Sequence, residues 1–329
     1  MSGSRAHGRT HNPRLGRAAP AIALATSAIG LAAVSSLTGC GLGAGPAPGG
    51  VHLTVTRDFG STSLRSWSAP RVRGQETVMS LLLRNAAVGT RYGGGFVQSI
   101  DGVAGGREDG RPVDWFYYVN GREAPQGAAS TNVNPGDYIW WDRHDWSQTD
   151  HIPAVVGSFP EPFLNGIAGK RLPVRIECAV VAGRPCRTVT SRLRAEGVPA
   201  AVAALQGGGA PLTLRVLVAP WKMLKSDPVA GAIQRGPAAS GVFARFAADG
   251  STLTLLDPDG RPTDTLRAGA GLIAATASEE HAPVWVISGT DAAGLEHAAS
   301  SFDQPTLQDR FAVAVTATGN ALLTKGVPR

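Results

Sequence analysis

The chain has 329 residues, of which 31 are basic and 25 are acidic, and its formal net charge is +6. Four of the basic residues lie among the first seventeen, so the rest of the chain carries 27 basic against 25 acidic residues. This near balance, with no cluster of lysine or arginine, excludes a polyanion-binding surface and predicts no nucleic-acid partner. The composition, rich in Ala, Gly and Arg, is typical of a GC-rich genome and favours an actinobacterial source.

The first forty residues have the three parts of an export signal. Residues 1–17 contain four arginines and no acidic residue, and residues 18–38 carry no charge. The segment ends in Leu37-Thr38-Gly39-Cys40. This ending resembles the lipobox of bacterial lipoproteins, in which an aliphatic residue and two small ones precede the cysteine that is lipidated.

The leader predicts where the protein resides. We expect residues 1–39 to be a signal peptide, Cys40 to carry the lipid, and residues 40–50 to form a flexible spacer. The mature chain is then anchored at the extracellular face of the cytoplasmic membrane. Two alternatives stay open: an uncleaved transmembrane helix, although Pro20 and several small polar residues weaken its apolar character, and an ordinary cysteine at position 40.

Alternation and turn residues predict a first domain over residues 51–150. Residues 51–56 alternate apolar with polar side chains, which is typical of a half-buried strand. Thr77 is expected to cap a helix whose apolar face lies over residues 78–82. Asn120-Gly121 is a strong hairpin signal. The other elements predicted in this domain are strands at 63–68, 95–102, 113–119 and from 138 onward.

Four segments of this domain, in this order, carry a resemblance to a known family. They are Thr77-Val78 with Leu81-Leu82, Phe96-Val97 with Ser99-Ile100-Asp101-Gly102, Trp115 with Tyr118-Val119-Asn120-Gly121, and Asn134-Pro135-Gly136-Asp137 with Trp140. Residues 51–146 resemble the DUF4430 family, which is similar to the C-terminal β-domain of transcobalamin and intrinsic factor. The resemblance implies a small β-grasp-like fold, a mixed sheet wrapped on one helix, with a binding rather than a catalytic role. In the vertebrate relatives the domain helps to enclose a corrinoid, so a cobalamin-like ligand is the cofactor that the resemblance suggests.

The second half of the chain has a different pattern. Residues 151–170 are punctuated by Gly and Pro and predict a connector. Residues 171–329 alternate strands with short helical segments, which indicates an α/β domain. Among those helical segments we expect 189–196 and 199–205. The predicted fold class is therefore α+β, with a β-grasp-like N-terminal domain followed by an α/β sandwich-type C-terminal domain.

Two cysteines remain beside Cys40. Cys186 lies eight positions after Cys178, with Gly183 and Pro185 between them, a spacing suited to a bridged hairpin or strand–loop junction. A pair of cysteines in an exported protein predicts a disulfide. The alternative is two free thiols in a buried strand.

The densest chemical feature is a group of aromatic residues in the strands at 113–119 and 138–141. Alternate side chains of a strand face opposite ways, so one set fills a core and the other is either exposed or covered by the second domain. An exposed aromatic face is typical of ligand, glycan or protein contact. The predicted contact residues are Trp115, Tyr117, Tyr118, Asn120, Trp140 and Trp141.

Other chemistry is less well supported by the sequence. Residues 141–151 contain two His and three Asp, but without an HExxH or EF-hand spacing this group is more typical of a solvated loop than of a metal site. Ser240 with His281 or His297 could be arranged as a triad, yet no G-x-S-x-G motif occurs and any chain of this length allows such a set. No phosphate-binding loop is present in the sequence, and we predict no catalytic residues.

These observations predict non-catalytic binding at the cell surface. One version is the capture of a small, corrinoid-like ligand for a membrane transporter. The alternative, from another class, is a structural or adhesive envelope protein that binds a protein or cell-wall glycan partner. An enzyme acting on envelope material ranks third.

Overall fold

The computed structural model describes residues 50–69, 76–206 and 209–322. The predicted signal peptide, Cys40 and nearly all of the predicted spacer lie outside these ranges. Among the described residues, no helix combines the length and apolar character that crossing a bilayer requires.

Strands and short helices occupy the described ranges. The strands are β1 Val51–Arg57, β2 Thr62–Ala69, β3 Val88–Arg91, β4 Phe96–Ile100, β5 Val103–Ala104, β6 Gly106–Glu108, β7 Arg111–Val119, β8 Arg122–Glu123, β9 Tyr138–Asp145, β10 Val174–Cys178, β11 Ala200–Ala204, β12 Leu214–Val218, β13 Ala244–Phe246, β14 Leu253–Leu256, β15 Pro262–Leu266, β16 Gly271–Thr276, β17 Val284–Gly289, β18 Ala312–Thr316 and β19 Gly319–Leu322. The helices are α1 Val78–Asn85, α2 Arg184–Ala195, α3 Trp221–Leu224, α4 Pro237–Ser240, α5 Ala292–Ser300 and α6 Gln304–Leu307, with 3-10 turns at Tyr92–Gly94 and Ala230–Arg235. Helices and several sheets together confirm the α+β class.

The first large sheet has the order β2-β1-β9-β7-β6, with β8 paired to β7. Strands β1 and β9 are parallel, whereas β1–β2 and β7–β9 are antiparallel, so the sheet is mixed. Helix α1 packs on one face of it. Thr77 caps this helix by accepting a hydrogen bond from the amide of Ser80, as the sequence predicts, and Val78, Leu81 and Leu82 are buried whereas Leu83 is exposed.

The predicted hairpin at Asn120-Gly121 joins β7 to β8. Both residues have positive φ, 53° for Asn120 and 74° for Gly121. A two-residue turn of this kind matches the twist of antiparallel strands, and Asn-Gly adopts it at low cost. The turn carries the chain directly from the aromatic strand β7 into β8 and the loop that follows it.

The second large sheet has the order β11-β10-β12-β17-β16-β18-β19. Strands β10, β11, β12 and β17 are mutually parallel, and the remaining pairs are antiparallel. Helices α2 and α5 cover one face. Cys178 at the end of β10 and Cys186 in the first turn of α2 form a disulfide with a Cα–Cα distance of 5.9 Å, which confirms the predicted bridge at a strand–loop junction.

One predicted helix is wrong. Residues 200–204 form strand β11, paired in parallel with β10, instead of part of a helix over 199–205. The run Ala-Ala-Val-Ala-Ala has a high helix propensity, but propensity is a weak prior against the hydrogen bonds offered by the open edge of a sheet.

The two large sheets share a core. Phe59 and Trp140 from the first sheet region pack in one buried cluster with Leu272, Val286 and Phe311 from the second. Most of the predicted connector, residues 151–170, is buried as well. The predicted domain boundaries stay a prediction.

Candidate ligand-binding site

The aromatic face predicted to be exposed is instead covered on both sides. Tyr118 and Trp140 are fully buried against the second sheet, and the ring of Trp140 lies 5.1 Å from that of Phe311. On the opposite face, Trp115 and Trp141 are buried beside α1, with exposed fractions of 6% and 2%. The prediction of an exposed platform was wrong because the two sheets and α1 use both faces of β7 and β9 for packing. The ligand-contact role predicted for these residues stays a prediction.

Asn120 has a structural role in the turn. Its side-chain amide donates to Asp137 Oδ1 and to the carbonyl of Gly166, both at 2.8 Å, and its oxygen accepts from the amide of Tyr138. Asp137 in turn accepts from the amide of Asn134. Burial raises the pKa of the Asp137 carboxyl. The Asn-Gly turn is thus fixed to the Asn-Pro-Gly-Asp turn, and the two signature motifs hold each other in place.

The segment predicted as a solvated loop begins inside strand β9. Asp142 and His144 are buried, and His144 Nδ1 lies 2.9 Å from Asp142 Oδ1. The imidazole is stacked between the rings of Phe59 and Phe116 at centroid distances of 4.7 and 4.4 Å. Trp140 donates to Thr56, whose hydroxyl donates to Asp142. These polar groups therefore form hydrogen bonds with one another within the interface between the sheets. The described part of the chain contains no group of three or more His, Cys, Asp or Glu side chains that could hold a metal ion.

The residues considered for a triad lie in separate hydrogen bonds. Ser240 is buried and donates to the carbonyl of Gly236. His281 pairs with Ser278, and His297 with the carbonyl of Gly269. The hydrogen bonds of Ser240 join it to neither histidine.

A cleft with a volume of about 330 Å³ opens beside the end of strand β7. We call it the loop cleft. It is lined by Val119, Arg122, Glu123, Ala124, Pro125, Gln126, Ser130, Thr131, Asn132, Asn134, Ile167 and Ala168. The first ten belong to the β7–β8 turn and the loop that follows it, and the last two come from the segment that leads into β10. The cleft has a volume at the lower end of the range for small-molecule sites.

Fixed side chains behind the loop cleft hold its walls. The hydroxyl of Tyr117 donates to the carbonyl of Gln126 at 2.5 Å and lies 2.8 Å from the hydroxyl of Thr131. The Glu123 carboxylate accepts from the amide of Ile152 at 2.9 Å and lies 2.6 Å from His151 Nδ1. Burial raises the pKa of Glu123, against the opposing effect of the nearby His151. Tyr117 is thus the residue of the predicted contact set that acts directly on this loop.

The opposite wall is held by a buried carboxyl group. Glu161 accepts hydrogen bonds from the backbone and side chain of Asn165, and the Asn165 amide also donates to the carbonyl of Gly136. Burial raises the pKa of Glu161 to about 7. The two residues therefore fix the chain immediately before Ile167 and Ala168, at the rim of the loop cleft.

Four polar side chains that line the loop cleft make no hydrogen bonds of this kind within the described ranges. Within residues 50–69, 76–206 and 209–322, no side-chain hydrogen bond or ion pair engages Arg122, Gln126, Ser130 or Asn132. Together they offer a guanidinium, two amides and a hydroxyl in one concave surface. Sequence reasoning missed them because they lie in a segment without periodicity, and the one available signal was that this segment, beginning with Arg122, follows the Asn-Gly turn.

Comparison with known protein families gives one match, in the first part of the chain. The family model described as Domain of unknown function (DUF4430) matches residues 75–145. No curated protein matches the chain. A solved structure from Ruminococcus gnavus ATCC 29149, provisionally described as a metal binding protein, is 15% identical, and the match covers 30% of this chain and 97% of that one with a TM-score of 0.25. The rest of the chain has no family match, and the predicted resemblance to DUF4430 is confirmed for residues 75–145.

Proposed function

We propose that this protein is a non-catalytic binding protein that holds a small ligand in the loop cleft. The observation that carries the proposal is the group of four uncommitted polar side chains around the cleft: Arg122, Gln126, Ser130 and Asn132. Side chains that make no hydrogen bond or ion pair within the fold are available for a ligand, and the neighbouring strands position them. The match to DUF4430 supports a binding module without naming what it binds.

The place of action that we propose is the outer face of the cytoplasmic membrane. The arginine-rich leader, the uncharged segment and the cysteine at the end of Leu37-Thr38-Gly39-Cys40 support lipid anchoring there. A protein tethered in this way can pass a captured ligand to a membrane transporter, which is the partner that we propose.

A corrinoid-like ligand is the specific version suggested by the resemblance to transcobalamin. The loop cleft favours a smaller molecule, or only one edge of a corrinoid, because its volume of about 330 Å³ is at the lower end for ligand sites. Aromatic stacking on a flat ring is not offered by Trp115 or Trp140, since both are buried. We therefore place the corrinoid second to a small polar ligand.

An adhesive or structural envelope role is the second candidate, and a different surface favours it. Val180 and Val181 follow strand β10, and Met223 lies just after the neighbouring parallel strand β12. Their exposed fractions are 65%, 45% and 47%. Apolar side chains exposed beyond the carboxyl ends of neighbouring parallel strands are suited to contact with another protein.

A thermal-shift screen tests the first proposal. The purified protein is mixed with corrinoids, other cofactor vitamins, divalent metals and cell-wall sugars. A ligand at a hundredfold excess over its Kd should stabilise the fold by about 2.7 kcal/mol. The variant Ser130→Trp, which fills the loop cleft, should lose the shift, whereas Ser191→Trp on the exposed side of α2 should keep it. A ligand that shifts both variants equally would place the site elsewhere, and silence across the panel would favour the adhesive role.

A further inference from the structure

We infer that the ligand of the loop cleft carries a carboxylate, which Arg122 binds through its guanidinium. The same ligand carries hydroxyl or amide groups that form hydrogen bonds with the neighbouring side chains of the loop. The inference rests on the proposed function, since it names the chemical class of the molecule in the same cleft.

Arg122 is a half-buried cation without a protein anion. It lies in β8, one residue beyond the Asn-Gly turn, and lines the loop cleft. Two other half-buried arginines are paired: Arg111 Nη1 lies 3.1 Å from Asp145, and Arg175 Nε lies 3.3 Å from Glu177. No ion pair of this kind engages Arg122 among the described residues. Burying a charge is costly unless it is paired, so an anion supplied from outside would complete the site.

The charges of the lining favour an anion with a single charge. Glu123 is the one carboxylate in the lining, and its Oε2 atom accepts from the amide of Ile152 and lies beside His151 Nδ1. Arg122 and Glu123 together leave the lining formally neutral. A phosphate carries nearly two charges at neutral pH, more than one guanidinium neutralises. A planar carboxylate matches the guanidinium fork through two parallel hydrogen bonds.

The remaining lining residues define what accompanies the carboxylate. Gln126 and Asn132 each offer an amide that both donates and accepts, and Ser130 offers a hydroxyl. Val119 and Ile167 supply apolar contact for a short aliphatic portion. An acidic sugar and the free C-terminus of a short peptide share this chemistry, so the test must separate them.

Calorimetric titration with two matched pairs of compounds provides that test. N-acetylmuramic acid is compared with N-acetylglucosamine, which lacks its carboxylate, and acetyl-alanyl-alanine is compared with its C-terminal amide. For at least one pair, the carboxylate should bind about tenfold more tightly than its neutral partner, a difference of about 1.4 kcal/mol. The pair that shows it identifies the sugar or the peptide as the source.

Substitutions of Arg122 then assign the effect. Arg122→Gln should abolish the preference for the carboxylate, because it weakens binding of the acid more than binding of the neutral compound. Arg122→Lys, which keeps the charge and loses the fork, should give an intermediate preference. Arg194→Gln, on the exposed surface of α2, is the matched control and should bind as the unmodified protein does.

The outcomes separate the two proposals. Neutral compounds that bind as tightly as the acids, or an Arg122→Gln variant with the original preference, would overturn the carboxylate inference and leave the proposed function standing. If none of the four compounds binds, the carboxylate inference is overturned, and a ligand from the thermal-shift panel whose effect is lost in Ser130→Trp would leave the placement in the loop cleft standing. Binding that Ser130→Trp does not affect overturns the placement in the loop cleft as well.

Discussion

Two neighbouring regions of this molecule differ in how their side chains are used. The aromatic interface, formed by Phe59, Phe116, Tyr118, Trp140 and Phe311, lies between the two large sheets and is closed by ring–ring contacts and buried hydrogen bonds. The loop cleft begins at the end of the same strand β7, and its polar side chains are largely uncommitted. A dense group of aromatic residues therefore marks packing between the sheets here, and the available chemistry lies in the loop next to it.

The difference has an energetic basis. Large aromatic side chains bury the most apolar area per residue, so two sheets that meet face to face gain most by using them. Polar loop side chains that are left without partners contribute little to stability. We expect substitutions in the aromatic interface to change the free energy of unfolding and substitutions in the loop cleft to change binding.

The largest effect is expected for Trp140→Ala. This change removes a fully buried side chain and leaves Thr56 without the donor of its 2.7 Å hydrogen bond. The expected loss is about 3–5 kcal/mol of unfolding free energy, measured by denaturant titration. Tyr92→Ala, at a side chain with an exposed fraction of 85%, is the control and should change stability by less than about 0.5 kcal/mol. Equal losses for the two variants would show that Trp140 is not in a core.

The next effect is a dependence of stability on pH at the wall of the loop cleft. The folded-state pKa of Glu161 is about 7, above the ordinary value of 4.5, so the folded protein holds this proton more tightly than the unfolded chain. The stabilising contribution is fully present below pH 4.5 and is lost as the pH rises to about 7. The loss is roughly 3 kcal/mol.

Glu161→Gln isolates this contribution. The neutral amide cannot ionise, so the difference in unfolding free energy between the original protein and the variant should change across this pH range. A difference that stays constant from pH 4 to about 8 would contradict the buried position of the Glu161 carboxyl.

A smaller effect on stability should distinguish Asn120, in the β7–β8 turn, from Asn132, in the loop that follows β8. Asn120→Ala removes the donor to Asp137 Oδ1 and to the carbonyl of Gly166 and the acceptor for the amide of Tyr138, and we expect a loss of about 1–3 kcal/mol. Asn132→Ala removes an uncommitted side chain and should change stability by less than about 0.5 kcal/mol. Thermal unfolding of the two variants side by side is sufficient. The comparison fails if Asn132→Ala is the more destabilising change.

The smallest effect on stability is expected for Tyr117→Phe. The change removes the hydroxyl that contacts Gln126 and Thr131 and keeps the ring stacked on Trp141. We expect a loss of about 0.5–1.5 kcal/mol, together with faster amide exchange in the loop of the cleft. Hydrogen–deuterium exchange of residues 124–132 measures the second quantity. Exchange that is unchanged there would show that Tyr117 does not order the loop.

Local patterns predicted the parts of the fold that local rules govern. The Thr77 cap, the Asn120-Gly121 turn and the Cys178–Cys186 disulfide each depend on a few neighbouring residues, and all three are confirmed. Strand β11 was predicted as helix because its pairing with β10 depends on residues far away in the sequence.

The candidate site was harder to predict for the same reason. Period-two alternation correctly separates the two faces of β7 and β9, but it does not say whether a second sheet covers the face with Tyr118 and Trp140. Arg122 lies in a segment without periodicity. It is a candidate ligand-binding residue because no acidic side chain among the described residues pairs with it, and only the packed structure shows this.

The most direct test of binding in the loop cleft is a nuclear magnetic resonance titration, followed through side-chain NH signals, with whichever of N-acetylmuramic acid and acetyl-alanyl-alanine binds more tightly. We expect the side-chain amide signals of Gln126 and Asn132 to move with the added compound while the indole signals of Trp115, Trp140 and Trp141 stay in place. Movement of the indole signals with the two amide signals unchanged would contradict binding in the loop cleft and would place the site at the aromatic strands.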